Sequence, residues 1–142
     1  MPAPVLEEGP QLIEVQRRDS QRIEQSLYNG AGVLIHETFF PDRSELPSSL
    51  VRYYFAPGTS EGMHLHAADV AGSCTPDDAD ELYVVISGEL TLTVEGESVS
   101  LAAGDAAYAP TGTLHGVAND SEVPAELIIM WGPPVRSGRT SA

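Results

Sequence analysis

At 142 residues and 42% hydrophobic, the chain has the length of one domain and enough apolar material for a real core. A formal net charge of -14 argues against nucleic acid and anionic membrane surfaces as partners. All seven basic residues are arginine, which excludes a Schiff-base mechanism through lysine and a P-loop, which needs one. There is no run of about 18 apolar residues to span a membrane, and Met1 to Glu8 lacks the basic and apolar regions of a signal peptide. Cys74 is the only cysteine, so no internal disulfide forms. A cytoplasmic location is the expectation.

Residues 1 to about 10 are rich in proline and glutamate and are expected to be poorly ordered. A short strand is expected over Gln11–Val15, then a helical turn or loop over Arg17–Gln25. Gly30-Ala31-Gly32 breaks the chain before a strand over Val33–Phe40. After a loop from Pro41 to Ser49, Leu50–Ala56 reads as a strand, and Pro57-Gly58-Thr59 turns it into a strand that carries His64 and His66. Residues 67–80 lack any periodicity and read as an exposed loop. Hairpins follow: Glu81–Ile86, Leu90–Val94, Ser98–Leu101, Ala106–Ala109, Leu114–Val117 and Ala125–Trp131, with turns at Ser87-Gly88, Glu95-Gly96, Ala103-Gly104 and Gly112. About ten short strands at this spacing predict an all-β sandwich or barrel.

His64 and His66 are two residues apart, so on one strand both imidazoles face the same way. That makes them a candidate half of a metal site; the plainer alternative is a pair of surface histidines. Two spacings decide between these. Gly58 is followed after five residues by His64-Leu65-His66, then by Glu81 and, six residues later, Gly88. Gly104 is followed after five residues by Pro110-Thr111-Gly112, then by His115 and Asn119.

These spacings resemble the two sequence motifs of the cupin superfamily over residues 58–119. The resemblance implies an all-β cupin barrel, a jelly-roll-like double-stranded β-helix. Length predicts a single domain over 1–142, here a cupin domain with its core over about 30–131, and the proline-, glycine- and serine-rich composition predicts a loose tail over about 133–142. The resemblance also implies one divalent metal held by His64, His66, Glu81 and His115. One departure stands out: fourteen residues separate His66 from Glu81, where the family has a much shorter gap. A loop of that length still closes at modest entropic cost, yet it also gives Glu81 room to leave the metal. His36, on the face shared by Leu34, Thr38 and Phe40, is therefore a further candidate ligand; the alternative is an edge-strand surface histidine. Should His36 ligate, Glu81 becomes an outer partner or base.

Other residues carry weaker readings. Cys74 is a candidate soft ligand or an incidental exposed thiol. The acidic run Asp77-Asp78-Asp80-Glu81 lacks the ligand spacing and glycine of an EF-hand and reads as a solvated loop. Tyr53, Phe55, Tyr83, Tyr108 and Trp131 are core or pocket-lining; Tyr83 shares a face with Glu81, and the two are the candidate catalytic residues. Arg52 alternates with Val51 and Tyr53 and is expected to face outward.

The run Glu81-Leu82-Tyr83-Val84-Val85-Ile86-Ser87-Gly88 in a small acidic cupin looks like the cupin cyclases of bacterial aromatic polyketide and antibiotic biosynthesis. That resemblance implies aldol-type ring closure and aromatisation of a poly-β-ketone, free or bound to a carrier protein. The metal would act as a Lewis acid on a ketone oxygen. Redox-inert zinc suits this role, with iron, manganese, nickel or copper as alternatives. A quercetinase-like dioxygenase and a non-catalytic metabolite-binding cupin are the other readings. A homodimer is expected, with the segment Leu12–Val15 crossing to the partner.

Overall fold

The computed structural model describes residues 12–75 and 77–132. The expected loose tail and the first ten residues lie outside them. Ten strands run in order: β1 (Ile23–Gln25), β2 (Leu34–Thr38), β3 (Ser49–Phe55), β4 (Ser60–His64), β5 (Asp80–Ser87), β6 (Glu89–Val94), β7 (Glu97–Ala102), β8 (Ala106–Ala109), β9 (His115–Ala118) and β10 (Ala125–Gly132). No described residue is helical, so none belongs to a helix long and apolar enough to cross a membrane.

The strands form two antiparallel sheets, ordered β1-β2-β3-β10-β5-β8 and β4-β9-β6-β7. This is the jelly-roll arrangement of the all-β barrel expected from the sequence. Alternation places Leu34, Phe55, Tyr83, Val85, Leu127 and Ile129 of the first sheet against Leu90, Leu92 and Val117 of the second. Each such side chain contributes about 1.5–3 kcal/mol on burial. The β6–β7 hairpin turns at Glu95 and Gly96, both with positive φ (49° and 80°). Two left-handed residues give the twist a two-residue hairpin requires.

Two expectations for the N-terminal half need correction. Leu12–Val15 forms no strand, and Leu12 and Ile13 are exposed. The neighbouring edge is occupied by a side chain instead. The Gln16 amide donates to the Thr38 carbonyl at 3.1 Å and accepts from the Phe40 amide at 2.7 Å, as a strand backbone would. The first strand is β1, inside the stretch read as a turn or loop and ahead of the expected core start at about residue 30. Arg52 does face away from the barrel interior, but it is buried rather than solvated. Residues 19–21 fold over it and over Glu37, its cross-strand neighbour.

The end of β9 shows why the second motif ends on asparagine. Asn119 is fully buried. Its Nδ2 donates to the carbonyls of Phe55 (3.0 Å) and Val123 (2.8 Å), and its Oδ1 accepts from the Ser121 amide (3.0 Å) and hydroxyl (2.7 Å). One side chain thus ties β3 to the turn before β10. Every polar atom is satisfied, as burial demands.

Candidate metal centre

His64, His66, Glu81 and His115 are all buried, and one donor atom from each lies within 4.8 Å of the others. His64 and His115 face each other across the β4–β9 pair, while Glu81 comes from β5 in the opposite sheet. The fourteen-residue gap therefore does not carry Glu81 away from the other three donors. The chain between His66 and Asp80 is tied to itself. The Cys74 amide returns to the Leu65 carbonyl (3.0 Å), the Ala67 amide donates to Ser73 Oγ (2.9 Å) and the Ala68 amide to Asp78 Oδ1 (2.7 Å). Asp80 then accepts the Thr111 amide at 2.7 Å, which sets the start of β5 against the second-motif turn.

The same turn fixes His66, which lies just beyond the end of β4 rather than within it. The His66 carbonyl accepts from the Gly112 amide (3.0 Å) and the Thr111 hydroxyl (2.7 Å). Gly112 has φ 77°, a left-handed conformation that glycine adopts without strain. Opposite His66, the Trp131 ring lies nearly parallel at 6.2 Å.

The outer partners set the tautomers. His64 Nδ1 lies 2.7 Å from the Gly62 carbonyl and His115 Nδ1 lies 2.9 Å from the Thr113 carbonyl. Carbonyl oxygens only accept, so each Nδ1 carries the proton and each Nε2 presents a lone pair inward. Both Nε2 atoms are buried without a hydrogen-bond partner. His115 Nε2 stands 3.0 Å from Glu81 Oε2 and His66 Nε2 stands 2.8 Å from Glu81 Oε1. A lone pair facing a carboxylate oxygen at 3.0 Å needs a cation or a proton between them. Three imidazole nitrogens and a carboxylate are a donor set for a divalent transition metal, so the residues present fit such an ion.

Electrostatics agrees. Burial pushes the His64 imidazole down to about 4, leaving it neutral and ligand-ready at ordinary pH. Burial alone would raise Glu81, but the His115 and His66 rings and the Tyr83 hydroxyl hold it well below the usual carboxylate range. Burial would lower His115, and the Glu81 carboxylate more than offsets that, raising it above the usual imidazole value.

Tyr83 is fully buried and donates its hydroxyl to Glu81 Oε2, so it orients the carboxylate. His36, the fifth expected ligand, is not among the four donors. It does share the inward face of β2 with Leu34, but it sits opposite Tyr53 in the ladder and stacks on that ring at 5.5 Å. Face parity was legible in the sequence; position along the strand was not. Tyr108 is exposed and donates to Asp80.

Three residues at the centre carried no decisive sequence signal. The Tyr28 ring stacks on His64 at 3.8 Å and 17°. It arrives there because the turn at Tyr28 and Asn29 (φ 52° and 59°) packs on β4. A Cβ at Gly62 would sit 1.8 Å from the Tyr28 carbonyl, so only glycine admits this approach. Glu61 is buried with Oε1 3.6 Å from His64 Nε2. Residues three apart normally face opposite sides of a strand; the register shift between Glu61 and His64 puts both inward.

The third is Cys74. Its Sγ lies 3.0 Å from His66 Nδ1. A thiol both gives and accepts, so it serves His66 in either tautomer and acts as an outer partner, not a ligand. Cys74→Ala is expected to weaken metal binding by about tenfold with thermal unfolding little changed, because the side chain is exposed. Competition with a chromophoric chelator measures this. Unchanged affinity would mean that Thr75 Oγ1, 3.4 Å from the same nitrogen, the backbone bonds to His66 and the Trp131 ring suffice to aim it.

A cupin-domain family model, Cupin_2, matches residues 51–131. The uncharacterized protein SCO3923 of Streptomyces coelicolor is 32% identical over 75 residues, 53% of this chain and 70% of that protein. A crystal structure of a predicted oxalate decarboxylase from Thermotoga maritima superposes with a TM-score of 0.73 at 19% identity, covering 86% of this chain and 100% of that one. A Cupin 2 conserved barrel domain protein from Salinispora arenicola gives 0.68 at 22% identity, covering 91% and 96%. At these identities the two structures speak for the fold.

Proposed function

Because the chain belongs to the cupin-domain family, and because four buried donors from both sheets converge, we propose that it is a metal-dependent enzyme whose centre is His64, His66, Glu81 and His115. The observation that carries this is the pair of inward, unpartnered Nε2 atoms of His64 and His115, each fixed by an outer carbonyl. A divalent cation bound there supplies Lewis acidity toward a carbonyl oxygen.

The reaction proposed is aldol-type ring closure of a poly-β-ketone. A C–H flanked by two carbonyls loses its proton, the carbon bonds to a second ketone carbon, and that ketone's oxygen takes up a proton; loss of water then aromatises the ring. Support comes from the resemblance of the Glu81–Gly88 run to cupin cyclases and from the lack of lysine for imine chemistry. Glu81, held by Tyr83, aims the donor set. Tyr28 and Trp131 wall His64 and His66 and exclude water from the centre. Zinc is the metal proposed, since the reaction transfers no electrons.

The test combines elemental analysis of the purified protein with product analysis on a poly-β-ketone thioester under air. The expected result is one divalent ion per chain and a dehydrated cyclic product with no oxygen consumed. Oxygen uptake on a flavonol, with a redox metal bound, would overturn the cyclase in favour of a dioxygenase.

A further inference from the structure

Among the described residues, the buried carboxylates are Glu37, Glu61 and Glu81. Glu37 is matched by Arg52, and Glu81 by the imidazoles and Tyr83. Glu61 has no cation and no hydrogen-bond partner for Oε1. A carboxyl buried without a hydrogen-bond partner or a cation is costly whether neutral or ionised. A strand bulge is nonetheless spent on turning this one inward beside His64. Charge counting gives a reason. A divalent ion with three neutral imidazoles and one carboxylate keeps one net positive charge, and a second carboxylate nearby balances it. Glu61 is outside the group whose donors lie within 4.8 Å of one another, yet its unpartnered Oε1 stands 3.6 Å from His64 Nε2, beside that group without belonging to it.

We propose that Glu61 grips the molecule bound at the position the four donors leave free, by accepting a hydrogen bond from an O–H or N–H adjacent to that molecule's metal-bound oxygen. This rests on the reading above that a divalent cation sits among the four donors. It selects the substrate class: enolisable or hydroxyl-bearing carbonyl compounds, which pair a coordinating oxygen with a neighbouring donor. A ligand with a coordinating atom and no donor gains nothing from Glu61.

Two probes of the cobalt-loaded protein separate these cases by visible absorbance. Acetohydroxamate carries an N–H beside its coordinating oxygens; azide carries none. Glu61→Gln is expected to weaken acetohydroxamate by about tenfold to a hundredfold, the loss of one charge-assisted bond. Azide should change by less than about threefold, and cobalt should remain at one per chain. If Glu61→Gln does not fold, Glu61→Asp, which retracts the carboxylate by one methylene, is read in the same way. Equal losses for both probes, no loss for acetohydroxamate, or loss of cobalt from the variant would each overturn the proposal. Wild-type protein that takes up no cobalt would instead overturn the four-donor reading on which it stands.

Discussion

His115→Ala is expected to abolish stoichiometric metal binding, a larger loss than the roughly 10–100-fold that follows from removing an outer partner. The substitution removes one inward lone pair and leaves Glu81 Oε2, which stands 3.0 Å from it, with the Tyr83 hydroxyl as its remaining partner. Equilibrium dialysis against zinc reads the loss directly, with Tyr83→Phe as the outer-partner comparison. The pH dependence carries a second, signed expectation. In the metal-free protein the Glu81 carboxylate holds a proton on His115 above the usual imidazole value. A metal must displace that proton, so affinity should climb as pH rises through the His115 value and level above it. Glu81→Gln removes the carboxylate, so the climb should move to lower pH even though overall affinity falls.

Stability follows the opposite course in the two forms. A group raised in the folded state stabilises below its unfolded value, about 6.5 for imidazole, and that contribution is lost as pH rises through the folded value. The metal-free protein should therefore lose stability upward from about pH 6.5, while the metal-loaded protein gains it. Melting curves with and without zinc across that range check the sign. Parallel curves would mean that His115 is not part of a metal centre.

Much of this centre was legible because its signals are local. His64 and His66 share a face over two residues, the second motif fixes His115 and Asn119 by turn chemistry, and Glu95-Gly96 is a hairpin turn on sight. Glu81 needed only that a long loop close, and the loop closes on its own serine, aspartate and backbone groups. What was not legible depends on register or on contacts between distant segments. Glu61 lies on the wrong face of any regular strand through His64, and only the bulge reverses it. Tyr28 reaches His64 through a left-handed turn that meets β4 at Gly62, an approach with no periodicity to betray it. Within the described part of the strand expected at Gln11–Val15, Leu12–Val15 stays unpaired because a pattern of apolar residues does not state whether a partner edge is free, and here Gln16 takes that edge.

Arg52→Met is expected to destabilise the protein by about 3 kcal/mol, with melting lowered by roughly 10 °C for a chain of this size. Arg52 Nη2 donates to Glu37 Oε2 at 2.8 Å and to Asp19 Oδ1 at 3.0 Å, on the outer face of β2 and β3. Glu37 also accepts the Asp19 amide at 3.0 Å and the Gln21 amide at 2.8 Å. Removing the guanidinium leaves a carboxylate with almost no solvent contact and only amide donors to hold it. The cover is thin, one loop deep, which places the cost at the low end of the range for a broken buried pair. Burial works to raise the Glu37 carboxyl, and the Arg52 and amide bonds hold it below its usual value. A depressed carboxylate stabilises above its unfolded value, and that contribution is lost as pH falls through the folded value. Wild type should therefore weaken in acid below about pH 4.5. Arg52→Met reverses this slope, because protonation of the stranded Glu37 relieves it. The double variant Glu37→Leu/Arg52→Met should recover most of the loss, since two apolar side chains replace a pair that had to be desolvated. A double variant as unstable as Arg52→Met alone would show that the pair's role is to anchor the loop over Asp19 and Gln21, not to neutralise a buried charge. In every variant zinc stoichiometry should match that of the wild type, because Arg52 points away from the interior where the four donors converge.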